Sequence, residues 1–360
     1  MTTNLEDSTL THPAPPLSID VDELIEPRLA AAVATLDDLS PLLGGMARYH
    51  LGWVDERLTP LGDGAADRGK RIRPSLALLS CAAAGGDPYV AAPLAAAVEL
   101  LHNFTLVHDD IQDGSPSRRH RPTVWSLWGA GQAINAGDAL FAASQLALLR
   151  LAEAETSPAL TLRLATAYNL MTIDIVGGQV LDLGFEGRDD VTPADYLAMI
   201  GGKTAAIVRF AAWGGALLAG ASDDVADRFG AFGRALGLGF QIRDDLLGIW
   251  GRSEVTGKAD ADDIRRRKQS LPILVLRQRA DASALAELND LYGQSEIDAA
   301  GVRRVLALLA AHDVRTAIES EVRSFHDQAR QALFAATGEG PNPARDILLR
   351  LVESLASREG

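Results

Sequence analysis

From Asp20 onward the chain is patterned for helix almost without interruption. Alanine and leucine dominate, and period-two runs of Val, Ile and Thr, the mark of half-buried strands, are scarce. Such a chain buries its apolar faces by packing helix on helix, so the expected fold class is all-α. The segment from Ala91 to Asp110 is apolar on most sides and predicts a central helix with little solvent-facing surface. Two helix starts are legible. Thr192-Pro193-Ala194-Asp195 offers an N-cap, a proline at the first helical position and an acid in the first turn. Ser295-Glu296-Ile297-Asp298 offers another cap, ahead of an amphipathic run through Leu309. Breaks are expected at Gly85 to Pro88, Ser115-Pro116, Arg121-Pro122, Gly184 to Asp190 and Gly251 to Asp263. No Pro- or Ser-rich linker and no fixed-period repeat divides the body. Residues 19–360 therefore read as one large helical domain. Residues 1–18, with Pro13, Pro15 and Pro16, read as a loose, disordered tail.

Charge and cysteine use narrow the function. Lys plus Arg number 34 against 48 Asp plus Glu, a formal net charge of −14. Nucleic-acid phosphates are bound by Lys and Arg, so no nucleic-acid partner is expected. The lone cysteine, Cys81, excludes an intramolecular disulfide framework and a cysteine-built zinc site. It suits a reducing cytosol, and its alanine-rich surroundings predict an inert buried thiol. Met1 to Leu10 lacks a basic n-region and an apolar h-region, so no signal peptide is read there. Apolar stretches such as Phe210 to Ala221 are too short and glycine-rich to span a bilayer, and a cytoplasmic location is expected.

Chemistry enters where acids interrupt apolar helices. His108-Asp109-Asp110-Ile111-Gln112-Asp113 ends the central helix, and the four-residue spacing puts Asp109 and Asp113 on one face. Two neighbouring carboxylates repel each other, and burying them unpaired is expensive. A divalent cation resolves both problems, and Mg²⁺ favours one or two carboxylates completed by substrate phosphates. A second acidic run, Gln241-Ile242-Arg243-Asp244-Asp245-Leu246-Leu247-Gly248, is equally apolar in setting. One such cluster on a polar face would read as a solvated acidic patch, a reading that the apolar setting here weakens. Two suggest facing helices that clamp metals in a bundle core.

A metal held this way calls for an anionic substrate, and candidate phosphate binders lie nearby. Gly69-Lys70-Arg71-Ile72-Arg73-Pro74 and Arg118-Arg119-His120-Arg121-Pro122 are dense in cations. Lys203, Lys258 and Lys268 stand singly near apolar segments. Arg grips phosphate bidentately and Lys acts as a point charge, although each alone is more often a snorkelling surface residue. Together they suit two diphosphates, one held through metal and one directly. His102, seven residues before Asp109, reads equally as a core histidine or a phosphate donor.

These strings resemble those of the trans-isoprenyl diphosphate synthases, or polyprenyl synthetases. The likeness rests on GKRIRP from Gly69, ELLHNFTLVHDDIQD from Glu99, RRHRPT from Arg118, NAGDAL from Asn135, GGQVLDL from Gly177, KTAA from Lys203, GLGFQIRDD from Gly237, GK from Gly257 and KQSLP from Lys268, in the family's order. The resemblance implies the isoprenoid synthase fold, a large helical bundle around a central cavity, as a homodimer. It implies Mg²⁺, about three ions per site with Mn²⁺ as a substitute, on Asp109, Asp113 and Asp244, with Asp110 and Asp245 in support. Arg118, Lys203, Lys258 and Lys268 would grip an allylic diphosphate. Lys70, Arg73, His102 and Arg119 would hold isopentenyl diphosphate without metal. Thr204 and Gln241 would line the space between the substrates. Phe104 and Thr105, just ahead of the first acidic run, would set product length. The implied reaction is head-to-tail condensation to a short-chain trans-prenyl diphosphate, C20 geranylgeranyl diphosphate first and C15 farnesyl diphosphate next. Metals and cations would stabilise the departing diphosphate, so no side-chain nucleophile is required.

The sequence departs from the family pattern at four places. Gly248 stands where a third aspartate usually ends the second acidic motif, and weaker metal binding is expected from its loss. His120, Ala261 and Arg267 stand where glycine is usual. A class I terpene cyclase on the same fold would not need the Lys70, Arg73, His102 and Arg119 set, and a non-catalytic regulatory subunit would not need Asp109, Asp113 and Asp244.

Overall fold

The computed structural model describes residues 19–356 except 39, 63, 65, 154–155 and 252–260. The tail 1–18 and Lys258 lie outside the described residues. Helices form where the sequence signals them, and caps are visible. Helix α1 spans Val21–Ala34, where the Asp20 carboxylate accepts from Glu23 N at 3.0 Å. Helices α2 (Pro41–His50), α3 (Ile72–Ala83) and α4 (Ala92–Gln112) follow. A two-stranded hairpin, β1 (Ser117–Arg118) with β2 (Arg121–Pro122), comes next, at the two expected breaks. Then come α5 (Val124–Trp128), α6 (Ala130–Leu149), α7 (Pro158–Phe185) and α8 (Pro193–Ile200). Thr192 and Asp195 form the expected capping box on α8. A π-turn over Gly201–Ala205 leads into α9 (Ala206–Leu218), followed by α10 (Asp223–Trp250). The turn Asp262–Arg265 and helices Leu271–Arg279, Ala282–Tyr292, Ala299–Ala311, Val314–Thr337 and Pro343–Ala356 complete the chain.

One helix start falls three residues later than its signal. Asp298, not Ser295, caps the helix Ala299–Ala311, accepting from Gly301 N at 2.7 Å. Ile297 explains the shift: it turns into the core as an anchor just before the cap.

Helix α4 is central. Every residue from Ala92 to Leu101 is buried, and the helix packs on α6, α3, α1 and α9. By length and composition the segment 88–112 is apolar enough to cross a membrane, more so than 210–221, but most of it is buried inside the molecule. The core lies in two clusters. One gathers α1 to α4, α6 and α9; the other gathers α8, the end of α10 and the helices between Leu271 and Val322. Helix α10 runs through both, with Leu236 in the first and Ile242, Leu246 and Ile249 in the second. Its acidic run therefore emerges at the junction of the two cores. Cys81 is fully buried and its thiol is pushed up to about 12, chiefly by burial, which leaves it inert as expected.

Candidate active site

Asp109 and Asp113 sit at the C-terminal end of α4, where Asp113 N bonds Asp109 O at 2.8 Å and keeps the helical spacing one residue past the last turn. Burial raises the Asp109 carboxyl; Lys203 and Arg118 pull it down, while Asp113 and Asp182 push it up. Asp182, on α7, is a site residue that sequence reasoning left without a role, although it lies inside the quoted GGQVLDL string. It accepts from Lys203 Nζ. Lys203 and Thr204 ride the π-turn after α8, where one extra residue redirects the backbone. That turn packs so closely on α7 that a Cβ at Gly178 would strike the backbone of Lys203. Thr204 Oγ1 donates to Gln241 Oε1 at 3.0 Å, tying the π-turn to α10.

Asp110 and Asp245 follow their neighbours by one residue, about 100° round the helix, and they point elsewhere. Asp110 is only 2% exposed and takes Arg118 Nε at 2.9 Å and Nη2 at 2.8 Å. Burial raises its carboxyl to about 6 against that pull. Asp245 is buried too. It accepts from the Tyr196 hydroxyl, from Leu271 N at 3.1 Å and from Gln241 Nε2 at 3.4 Å, and burial pushes it up to about 7. Their visible bonds hold Arg118, α8 and the helix Leu271–Arg279 in place, while Asp110 Oδ2 is buried without a partner and Asp245 reaches the chamber wall. Asp244, by contrast, is exposed and close enough to act on Arg73.

Two sets of cations flank these acids. Lys203 and Lys268 border a chamber of about 770 Å³ that Asp113, Asp182, Thr204, Gln241 and Tyr196 also line. Partial desolvation lowers the Lys268 ammonium, but Asp263, Asp182, Asp245 and Asp113 together carry it above its ordinary value. On the other side Arg73, Arg119 and His102 form one half-buried electropositive group, with Lys70 exposed at the start of α3. Burial, then Arg73, Arg119 and Arg118, hold the His102 imidazole far below its usual range, so it is neutral. Arg71, unassigned from the sequence, anchors this loop. It is buried in a left-handed conformation (φ 48°) and bonds Glu99 and Glu26 at 2.6 Å each. Breaking such a buried pair by removing one partner costs about 3–5 kcal/mol.

Phe104 packs between α4 and α6, with its ring 4.8 Å from His108 and 5.3 Å from Phe141, and Thr105 Oγ1 bonds His102 O at 2.8 Å. Neither borders the 770 Å³ chamber.

Gly248 is not a gap. The carboxylate of Asp263, from the turn Asp262–Arg265, lies so close that a Cβ at 248 would collide with it. An acid from fifteen residues downstream thus fills the place beside Gly248. The other three departures share one backbone trait: His120, Ala261 and Arg267 have φ of 60°, 54° and 55°, the left-handed region that suits glycine.

The donor set fits divalent cations. Asp113 and Asp182 both repel the Asp109 carboxylate, with Lys203 as the main counter-charge, and such repulsion is what a bound cation relieves. Among the described residues no three acids or imidazoles form a ready-made cage, so ligand oxygens would have to complete the coordination.

Comparison with known proteins agrees with this geometry. Residues 56–309 match the Polyprenyl synthetase family model. A (2E,6E)-farnesyl diphosphate synthase of Mycobacterium tuberculosis is 46% identical over 251 residues, 70% of this chain and 67% of that protein. A geranylgeranyl diphosphate synthase of the same organism is 42% identical over 277 residues, 76% of each. The crystal structure of a polyprenyl synthetase from Streptomyces coelicolor superposes with a TM-score of 0.83 at 38% identity, covering 93% of this chain and 97% of that one. With its all-helical fold and facing acidic helices, the chain belongs to the polyprenyl synthetase family and is a prenyltransferase.

Proposed function

We propose that this enzyme condenses isopentenyl diphosphate with an allylic diphosphate, 1′ to 4, releasing diphosphate and lengthening the chain by one isoprene unit. The observation that carries this reading is the two-sidedness of the site: acids with Lys203 and Lys268 on one side, and the cluster of Arg73, His102 and Arg119 on the other. A cyclase acting on one diphosphate has no use for the second set.

Mg²⁺, with Mn²⁺ as a substitute, would be held by Asp109, Asp113 and Asp244, and when bound it supplies positive charge to the departing diphosphate. Asp182 shares that acidic cluster. Lys203, Lys268 and Arg118 orient the allylic diphosphate, and Asp110 fixes the direction of Arg118. Lys70, Arg73, His102 and Arg119 hold the isopentenyl diphosphate so that its double bond faces the allylic carbon. Thr204 and Gln241, bonded to each other, form the wall between the two. The proton lost on condensation has no side-chain base in this set and passes to the released diphosphate.

The product is a short trans-prenyl diphosphate, C20 ahead of C15, with Phe104 and Phe141 limiting growth between α4 and α6. The pairing unit is a homodimer formed through α6 and α7. Ile134, Leu146 and Leu149 on α6, and Leu162, Leu170, Ile173, Val176 and Val180 on α7, are exposed in one chain; Ile173 is 66% exposed and Val180 64%. So large an apolar stripe is unusual on a monomer.

The test is incubation with Mg²⁺, isopentenyl diphosphate and, in turn, dimethylallyl, geranyl and farnesyl diphosphate, with products identified by mass. Lengthened diphosphates ending at C20 or C15 are expected. Cyclised hydrocarbon formed without isopentenyl diphosphate would overturn the reading.

A further inference from the structure

We propose that His50 is a diphosphate-binding residue of the isopentenyl diphosphate subsite, closing the Arg73–His102–Arg119 cluster from the side of α2. The inference rests on that subsite reading and adds to it a residue outside every motif string above.

His50 is the last residue of α2, and its position is built rather than incidental. The end of α2 is stitched to the hairpin β1–β2 that carries Arg118 and Arg119. Tyr49 Oη donates to Pro122 O at 2.8 Å. Arg121 donates to Tyr49 O at 3.0 Å and to Val54 O at 2.6 Å, and its guanidinium lies 4.1 Å over the Tyr49 ring. Trp128 backs the same ring edge-on at 5.1 Å. These contacts hold the His50 imidazole against the inner side of the hairpin, facing Arg118, Arg119 and Arg121, with His102 and Asn103 of α4 beside it.

A histidine serving only the fold would have its ring satisfied by the fold. This one does not. Asn103 engages the ring, yet Nε2 is buried and has no partner. Arg73 Nε, in the same cluster, is also buried and unpartnered. Leaving such a group unmet is costly, and two of them in one electropositive cluster point to an anion that would meet both. Burial and the three hairpin arginines hold the His50 imidazole down to about 3, so it is neutral in the free protein. A diphosphate bound by this cluster offsets the guanidinium charge and favours a proton on Nε2, which then donates to a phosphate oxygen; the proton comes from solvent.

The experiment is steady-state kinetics on the full chain with His50→Ala, His50→Leu and His50→Gln, and Arg73→Ala as the control. Removing the donor is expected to raise KM for isopentenyl diphosphate by about tenfold, the worth of one hydrogen bond to a charged group, with KM for the allylic diphosphate changed by less than about twofold. His50→Gln, which keeps an N–H donor, recovers part of the loss. Leu keeps volume and Ala keeps space, so one of the two remains informative if the other fails to fold. If Arg73→Ala raises KM for isopentenyl diphosphate and neither His50 variant does, His50 is structural and this proposal fails alone. If Arg73→Ala is silent too, the subsite reading fails with it. Equal increases in both KM values would also overturn the proposal.

Discussion

At the scale of single residues, neighbours on a helix divide the labour. Asp244 is exposed and Asp109 half-buried, while Asp110 and Asp245, one step round, are buried and bonded into the frame, Asp245 at the wall of the chamber. The sequence makes the acids conspicuous but does not sort them, because which of two adjacent aspartates meets Arg118 or Tyr196 depends on elements far along the chain. The sorting has a consequence for pH. Asp245 titrates near 7 in the fold against 3.8 unfolded, so the folded state holds more protons between those values. Its contribution is therefore most favourable below about pH 4 and is lost as pH rises through 7. Asp245→Asn keeps acceptors for Tyr196 and Leu271 N without the buried charge. Thermal unfolding of this variant is expected to gain on the parent as pH rises from 5 to 8. A constant difference across that range would show that Asp245 is not the titrating group. Gly248→Asp tests the second reading at this scale. The new side chain meets the Asp263 carboxylate, and a loss of about 1–3 kcal/mol in stability is expected. Unchanged stability would mean that Asp263 moves aside freely.

At the scale of elements, much was legible. The central helix, the α8 capping box and the helix breaks follow from apolar periodicity, capping chemistry and Gly–Pro punctuation that act over a few residues. The hairpin β1–β2 was visible only as two breaks, since two-residue strands have no period to read. The π-turn that carries Lys203 left no signal beyond its glycines, because it arises where α7 presses on the backbone at Gly178. The positive-φ positions show an element keeping its shape at some expense. Ala261, buried at φ 54°, holds a conformation that disfavours any Cβ by about 1–2 kcal/mol. Ala261→Gly relieves that strain while adding unfolded-state freedom, for a net gain of about 0.5–1 kcal/mol, readable as a small rise in Tm. A fall in Tm would show that the Ala261 methyl contributes more packing than its backbone costs.

At the scale of the whole molecule, α10 links two cores, and its acidic run reaches the chamber that Asp113 at the end of α4 also lines. No local pattern announces that two acidic runs 135 residues apart will reach one chamber; α9, which packs on both α4 and α10, helps to bring it about. The apolar stripe on α6 and α7 belongs to the same scale. Introducing charge with Ile173→Glu and Val180→Glu is expected to convert a dimer to monomer in sedimentation equilibrium. A parent protein that is already monomeric at micromolar concentration would remove the stripe from the account.

The central claim is that two neighbouring cation sets hold two diphosphates by different means, and a crossed kinetic comparison tests it most directly. KM for each substrate would be measured in Lys203→Ala and in Arg73→Ala. The expected pattern is reciprocal. Lys203→Ala raises KM for the allylic diphosphate by about tenfold or more and leaves isopentenyl diphosphate nearly untouched, and Arg73→Ala does the reverse. If both variants weaken the same substrate, or each weakens both equally, the two cation sets serve one site and the account is contradicted.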